Sequence, residues 1–296
     1  MAELTERVAG GRAGLDPTRG AAVRGLIRRA LREDIGPGDI TSRALVGPAR
    51  TVCAEILARR RCVVCGGPVA AQVFRAVDPS LRVECLVPDG RAAPAGAAVM
   101  RLRGRARSVL AAERTALNVM QRLTGMATLT ARFVRRVKPY GTAILDTRKT
   151  TPGWRALEKY AVRCGGGTNH RAGLYDRVLI KDTHRALWGK RSLAGAVRAA
   201  RRRCPGRLVE IEVETPSELA AVLPARPDWI LLDNMDPACL RRCARLCRGR
   251  CPLEASGGIT MANVRAVAAS GVQAISLGCL THSAPAADLS LEIAAG

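Results

Sequence analysis

The chain has 296 residues, 48% of them hydrophobic, enough for one large core or two smaller ones. It carries 48 Lys and Arg against 25 Asp and Glu, a formal charge of +23 at pH 7, yet only 3% of its residues are aromatic. That scarcity argues against a base-stacking platform for nucleic acid, and no apolar stretch approaches the roughly 18 residues of a membrane-spanning helix.

The arginine excess reads as background that concentrates anionic ligands near the surface. Its densest runs, RRRC at 201–204 and RRCARLCRGR at 241–250, sit among alanines as solvated helix faces do. The opening residues lack a basic start followed by an apolar run, so no secretory signal is expected and the protein is expected to be soluble and cytoplasmic. The 11 cysteines then read as free thiols.

In chain order, a helix is expected from about Ala21 to Glu33. Strand-like runs follow at 51–58 (TVCAEILA), 61–67 (RCVVCGG) and 83–90 (VECLVPDG), broken by Gly and Pro. They point to a separate α+β domain. Cys62 and Cys65 form a CxxC without a second pair at zinc-ribbon spacing, so they are expected to pack as small apolar side chains. Residues 106–138 read as a long helix or a helix pair. There Leu110, Leu117, Met120 and Leu123 share a broad face, and Arg114, Asn118 and Arg122 form a stripe that periodicity alone assigns to solvent.

The second half repeats an apolar run, a charged or small residue at its end, and a helix-like segment. The runs are TAILDT (142–147), RVLIKD (177–182), LVEIEVE (208–214), WILLDN (229–234), LEASGG (253–258) and AISLGC (274–279). Such units, with no GxGxxG and no Walker A loop, favour a closed or nearly closed α/β barrel over an open doubly wound sheet. A barrel gathers its C-terminal strand ends at one rim, so Asp146, Lys181, Glu212, Asp233 and Ser256 would face one another.

Most of the chemistry falls between Asp146 and His184. Thr147, Arg148 and Lys149 follow the first run; hydroxyls and cations there suit phosphate or carboxylate, and a capped turn with exposed charges is an equal reading of this piece alone. His170 and Arg171 follow Gly165-Gly166-Gly167-Thr168-Asn169, which permits close approach to a ligand or else a flexible loop facing water. Lys181 ends the next run. Cations brought together at strand ends suit a small substrate with several negative charges. Glu212 and Asp233 end neighbouring strands and suit a divalent metal or sugar hydroxyls, or serve as caps and ion-pair partners. Ser256, Gly257, Gly258 and Gly278 can offer backbone N–H groups to a phosphate. The three histidines, 170, 184 and 282, do not pair at metal-ligand spacing. Cys239, Cys243, Cys247 and Cys251 recur every four residues, a drifting helical stripe that reads as packing.

Together, EDIGPGDITS (33–42), ERTALNVMQRLTGMAT (113–128), the stretch from ILDTRKTTPG to VLIKDTH (144–184), VEIEVET (209–215), ILLDNM (230–235), LEASGGIT (253–260) and SLGCLTHSAPAADLSLEI (276–293) resemble the quinolinate phosphoribosyltransferases, the carboxylating nicotinate-nucleotide pyrophosphorylases. The resemblance covers nearly the whole chain in order. One departure is Thr183, where the family usually has Asn; Lys181 is retained, so altered hydrogen bonding around the substrate ligands is expected rather than lost activity.

The resemblance implies an α/β fold, an incomplete (open) α/β barrel with an N-terminal α+β sandwich domain. Its divisions would be residues 1–120 (sandwich), 121–280 (barrel) and 281–296 (a segment returning to the first domain). It implies transfer of the phosphoribosyl group of phosphoribosyl pyrophosphate to the ring nitrogen of quinolinate with decarboxylation. The products would be nicotinate mononucleotide, pyrophosphate and CO2, in de novo NAD biosynthesis. Mg2+ would accompany phosphoribosyl pyrophosphate, and the enzyme would be a homodimer with shared active sites, assembly beyond a dimer being left open.

By position in the motifs, Arg148, His170, Arg171 and Lys181 would meet the quinolinate carboxylates, joined by Arg114 from the neighbouring subunit. This reverses the solvent assignment of Arg114. Lys149, beside Thr147, would bridge toward the phosphates, and Ser256, Gly257, Gly258 and Gly278 would hold the 5′-phosphate. Lys149, Glu212 and Asp233 would be the catalytic groups, the two acids holding ribose hydroxyls and Mg2+ directly or through the substrate. The rival readings are a related phosphoribosyltransferase using another pyridine or acid, and a nucleic-acid-binding protein that exploits the charge with salt-sensitive affinity.

Overall fold

A computed structural model describes residue 18 and residues 20–189 and 191–293, which divide into two compact units. One comprises the described residues up to 131 with 150–166 and those from 280 onward; the other comprises 132–149 and 167–279.

In the first unit, strand β1 (Thr51–Ala58) alternates as its sequence requires, burying Ala54, Ile56 and Ala58 on one face. Strands β2 (Cys62–Val63), β3 (Arg82–Cys85), β4 (Ala92–Ala93) and β5 (Ala98–Arg105) follow. The strand Leu289–Ile293, β1, β5 and β3 form an antiparallel sheet in that order, and β2 pairs with β4. The register Ala54↔Ile293 to Ala58↔Leu289 brings the end of the chain into the sheet of its beginning.

The helix Ala21–Ile35 seats Val23, Ile27 and Leu31, one per turn, in this unit's core. The strand-like run 61–67 stops after Val63. Gly66 takes φ 97°, and with Pro68 in the first turn the chain starts the helix Gly67–Val77 instead.

Residues 106–137 form one continuous helix, not a pair, and residue 120 lies inside it. Leu117, Met120 and Leu123 are buried as expected, whereas Arg114 and Asn118 are exposed. Arg122 departs from the expected solvent stripe. Its guanidinium donates to Glu158 Oε1 at 3.0 Å and to the carbonyls of Thr281 (2.5 Å) and Ala284 (3.5 Å). Glu158 is fully buried and needs a partner; Thr151 supplies two further donors. Arg122→Leu is therefore expected to destabilise the fold by about 1–3 kcal/mol, measured as a lower urea midpoint with an unchanged slope. An unchanged midpoint would show that Arg122 is merely solvated.

The second unit contains every apolar run expected of a strand: β6 (Ala143–Leu145), β7 (Val178–Ile180), β8 (Val209–Val213), β9 (Trp229–Asp233), β10 (Leu253–Ser256) and β11 (Ala274–Ser276). All pairings are parallel, in the order β6-β11-β10-β9-β8-β7. That order is a circular walk, because the first strand, β6, pairs with the last, β11, while β6 and β7 do not pair with each other. On the open side, Thr168 forms an isolated parallel bridge with Leu145. A barrel that fails to close at one seam has this connectivity, whereas a doubly wound sheet reverses direction midway.

Helices Asp182–Trp188, Leu193–Arg203, Pro216–Val222, Pro237–Cys247 and Val264–Ala268 connect the strands. The cysteine stripe is a packing feature, as its spacing suggests. The thiols of Cys239 and Cys243 meet Met235 Sδ at 3.6 and 3.7 Å, and Cys251, beyond the helix end, donates to the Pro227 carbonyl at 3.3 Å. Arg241, Arg242 and Arg245 are exposed on the same helix. No helix among the described residues is long and apolar enough to cross a membrane.

Candidate active site

Parallel register decides which side chains meet. Ser256 lies beside Asp233 and Glu212 beside Leu231, so the ends of β8, β9 and β10 form one rim. Residues two apart in a strand share a face, which pairs Glu210 with Glu212 and Glu254 with Ser256. The result is two tiers, one at the rim and one deeper.

At the rim, Lys181 directly follows β7 and its Nζ lies 3.2 Å from Glu212 Oε2. The Asp182 amide donates to Glu212 Oε1 at 3.3 Å, and Asn234 Nδ2 donates to Asp233 Oδ2 at 2.7 Å. Burial pushes the Asp233 carboxyl above the usual aspartate range and nearby Glu212 adds to this, while Lys181 and Asn234 oppose it. Two acids thus crowd each other where a further cation would relieve them. Asn234, at φ 53°, donates its amide to the Ser256 carbonyl at 2.8 Å, and a Cβ on Gly257 (φ 89°) would run into its side chain. Gly257 is required there. With Gly258 it keeps the two positions after β10 free of side chains, and Gly278 is the second residue after β11.

The deeper tier explains why the glycine-rich segment is not a loose loop. Asp146, fully buried after β6, accepts from Asn169 Nδ2 at 2.5 Å and from the His170 amide at 2.9 Å, while the Thr168 amide donates to the Ile144 carbonyl at 2.8 Å. His170 and Arg171 are consequently only 7% and 8% exposed. The water-facing reading fails for both.

His170 Nε2 lies 3.2 Å from Glu210 Oε2 and 3.4 Å from Glu254 Oε2, and Arg177 Nη1 lies 3.2 Å from the same Glu210 oxygen. Burial disfavours charge on His170, but Glu254 and Glu210 outweigh it and lift its pKa to about 10. The Arg171 amide donates to His170 Nδ1 at 2.8 Å, so a second ring proton there would require that amide to turn away. Glu210 is held down by His170 and Arg177 against its own burial; Glu254 is raised by burial and by Glu210. One ligand atom each from His170, Glu210 and Glu254 lies within 4.8 Å of the others. Both carboxylates already stand at hydrogen-bond distance from the same ring nitrogen, so we read the group as a proton-bridged anchor.

Burial pushes Arg171 below the usual arginine range, and the positive charge of Arg148 adds to this. An anion bound near these cations would relieve both effects. Lys149 is exposed at the turn, its amide accepted by Thr147 Oγ1 at 3.1 Å. Thr183 is exposed in the first turn of the helix Asp182–Trp188, where the Lys181 amide donates to His184 Nδ1 at 3.0 Å. Arg114 lies in the other unit, on the helix Ala106–Val137. Sequence reasoning missed Glu210, Glu254 and Arg177. The available signal was an acid in mid-strand: all five residues of β8 are buried, two of them glutamates.

Asp233 should titrate above 3.8, its ordinary value. Its ionised fraction falls as the pH drops through that raised value, so any function needing the carboxylate is lost at a higher pH than for an ordinary aspartate. Carboxyl-carbon NMR of Asp233 checks this, and a midpoint below 3.8 would contradict the crowded rim.

Known proteins share this fold and sequence. The family described as quinolinate phosphoribosyl transferase matches with its C-terminal domain over residues 126–292 and its N-terminal domain over 39–124. A probable nicotinate-nucleotide pyrophosphorylase (carboxylating) of Bacillus subtilis is 41% identical over 270 residues, 90% of this chain and 92% of its own. The nicotinate-nucleotide pyrophosphorylase (carboxylating) of Mycobacterium leprae is 41% identical over 279 residues, 92% of this chain and 97% of its own. The solved nicotinate-nucleotide pyrophosphorylase of Francisella tularensis superposes with a TM-score of 0.87 at 39% identity, covering 92% of this chain and 96% of that one. By sequence and by fold, the chain belongs to the quinolinate phosphoribosyltransferase family.

Proposed function

We infer that the chain transfers the phosphoribosyl group of phosphoribosyl pyrophosphate to the ring nitrogen of quinolinate with loss of CO2, giving nicotinate mononucleotide for de novo NAD biosynthesis. The observation that carries this reading is the meeting, at one rim of an open barrel, of Lys181 with Glu212, next to the strand that ends in Asp233.

Quinolinate bears two adjacent carboxylates. Arg148, Arg171 and Lys181 supply its counter-charges, His170 holds the Arg171 backbone in place through Nδ1, and Lys149 reaches toward the phosphates of the second substrate. Ser256, Gly257, Gly258 and Gly278 hold the 5′-phosphate through backbone N–H groups. Departure of pyrophosphate leaves positive charge on the ribose, which Glu212 and Asp233 stabilise while binding its hydroxyls. The alkylated ring nitrogen then accepts the electrons released by the neighbouring carboxylate, so no protein nucleophile is required. The protein contributes position, counter-charge and exclusion of water.

Glu212 and Asp233 fit a divalent cation, because two carboxylates share one rim and Asp233 is raised by burial and then by Glu212. Mg2+ bound there would neutralise the departing pyrophosphate.

The test is formation of nicotinate mononucleotide and CO2 from quinolinate, compared with nicotinate as substrate. Turnover of quinolinate alone is expected; turnover of nicotinate without CO2 would identify a different pyridine as substrate. We further assign the active assembly to a homodimer in which the partner subunit's Arg114 completes each site. Mixing an Arg114→Ala variant with an inactive Lys181→Ala variant is then expected to restore about a quarter of wild-type activity through hybrid dimers. No recovery on mixing would contradict a shared site.

A further inference from the structure

Cys65 and Cys164 have no place in this reaction, yet the fold brings them together from opposite ends of the first unit's sequence. Cys65 is fully buried beyond β2, and Cys164 is partly exposed at the end of the helix Arg155–Cys164. Their sulfurs and a carboxylate oxygen of Asp89 all lie within 4.8 Å of one another.

The surroundings hold the sulfurs in place. Asp89 accepts from the Gly66 amide (2.9 Å), the Gly67 amide (3.1 Å) and the Tyr160 hydroxyl (2.9 Å), tying the turn after Cys65 to the helix that carries Cys164. The Cys65 amide donates to Thr124 Oγ1 at 3.1 Å, and that hydroxyl donates back to the Cys65 carbonyl at 3.0 Å. Beyond Cys164, a Cβ on Gly165 would strike the Ala127 carbonyl and Thr130, so the chain there has little room to shift.

The two thiols differ in character. Burial raises Cys65, whereas the hydrogen bond from Cys65 brings Cys164 below an ordinary thiol. The exposed member is therefore the better nucleophile, and the buried member keeps its proton. A metal site is the less favoured reading, because three donors already engage the Asp89 oxygens.

We propose that Cys164 and Cys65 are a hydroperoxide-sensitive thiol pair, with Cys164 reacting first and Cys65 closing an intramolecular disulfide. In the first step the Cys164 thiolate attacks a peroxide oxygen: an S–O bond forms, the O–O bond breaks, and the departing hydroxide or alkoxide takes up a proton. The sulfur loses two electrons and the peroxide gains them. In the second step the Cys65 sulfur attacks the Cys164 sulfur, an S–S bond forms, and hydroxide leaves with the Cys65 proton as water. The product differs from that of CxxC chemistry, which would join Cys62 to Cys65.

The test uses the full-length, reduced wild-type protein treated with a few equivalents of hydrogen peroxide, followed by thiol blocking and peptide mass mapping without reduction. A Cys65–Cys164 peptide pair is expected as the main cross-link, lighter by two hydrogens and fully reversed by dithiothreitol. In Cys65→Ser, which lacks the resolving thiol, Cys164 should instead accumulate as sulfenic and sulfinic acid. The proposal is overturned by a Cys62–Cys65 cross-link, by oxidation confined to the exposed Cys53 and Cys85, or by stoichiometric bound zinc that leaves both thiols unreactive. Because the wild-type map needs no variant, a folding defect in Cys65→Ser leaves the decision intact.

Discussion

Replacing Arg171 with Ala is expected to lower kcat/KM for quinolinate by about 10²–10³-fold, most of it through KM, with little change in KM for phosphoribosyl pyrophosphate. Arg171 is 8% exposed, and the charge of Arg148 adds to burial in disfavouring its own. Removing it leaves one substrate carboxylate without its counter-charge in a site largely shut off from water, which costs about 3–5 kcal/mol. The discount from that figure comes from Arg148, which remains to share the load. Arg171→Lys keeps the charge and loses the forked donors, so an intermediate loss of about tenfold is expected. Steady-state kinetics with each substrate varied in turn check both numbers. A wild-type KM for quinolinate in Arg171→Ala would remove the residue from the site.

The second large effect is on stability. Glu210→Ala takes away the carboxylate that His170 and Arg177 share, removing a charged partner from two buried cationic side chains at once. A loss of about 3–5 kcal/mol is expected, seen as a fall in Tm of about 5–15 °C. Glu210→Gln preserves shape and one acceptor, so its loss should be smaller, while the two variants should weaken quinolinate binding in the same order by loosening His170. Equal Tm values for wild type and Glu210→Ala would mean that the buried anchor contributes nothing.

The barrel was legible because its strands combine two independent signals, a short apolar run and a charged or small residue closing it, repeated six times. β5 went unassigned because Arg101, Arg103 and Arg105 interrupt AVMRLRGR, although their alternation is itself the mark of a strand with one wet face. The run at 61–67 misled because apolar content alone does not reveal that Gly66 turns the chain into a helix.

The nearness of Lys181, Glu212 and Asp233 was legible, since a barrel gathers its strand ends at one rim. Glu210 and Glu254 were not. By period-2 alternation an acid in mid-strand belongs on a solvated face, and only closure of the barrel turns that face inward. Arg122 failed for a related reason, because periodicity does not see the buried Glu158 that awaits it. The Cys65–Cys164 contact joins residues far apart in the chain and becomes visible only in the fold.

A crystal structure with quinolinate bound tests most directly whether one pocket gathers these charges. Both carboxylates should lie within hydrogen-bond distance of groups drawn from Arg148, Arg171 and Lys181, with the ring nitrogen facing Glu212 and Asp233. Quinolinate bound elsewhere, or with its carboxylates turned to solvent, would contradict the account.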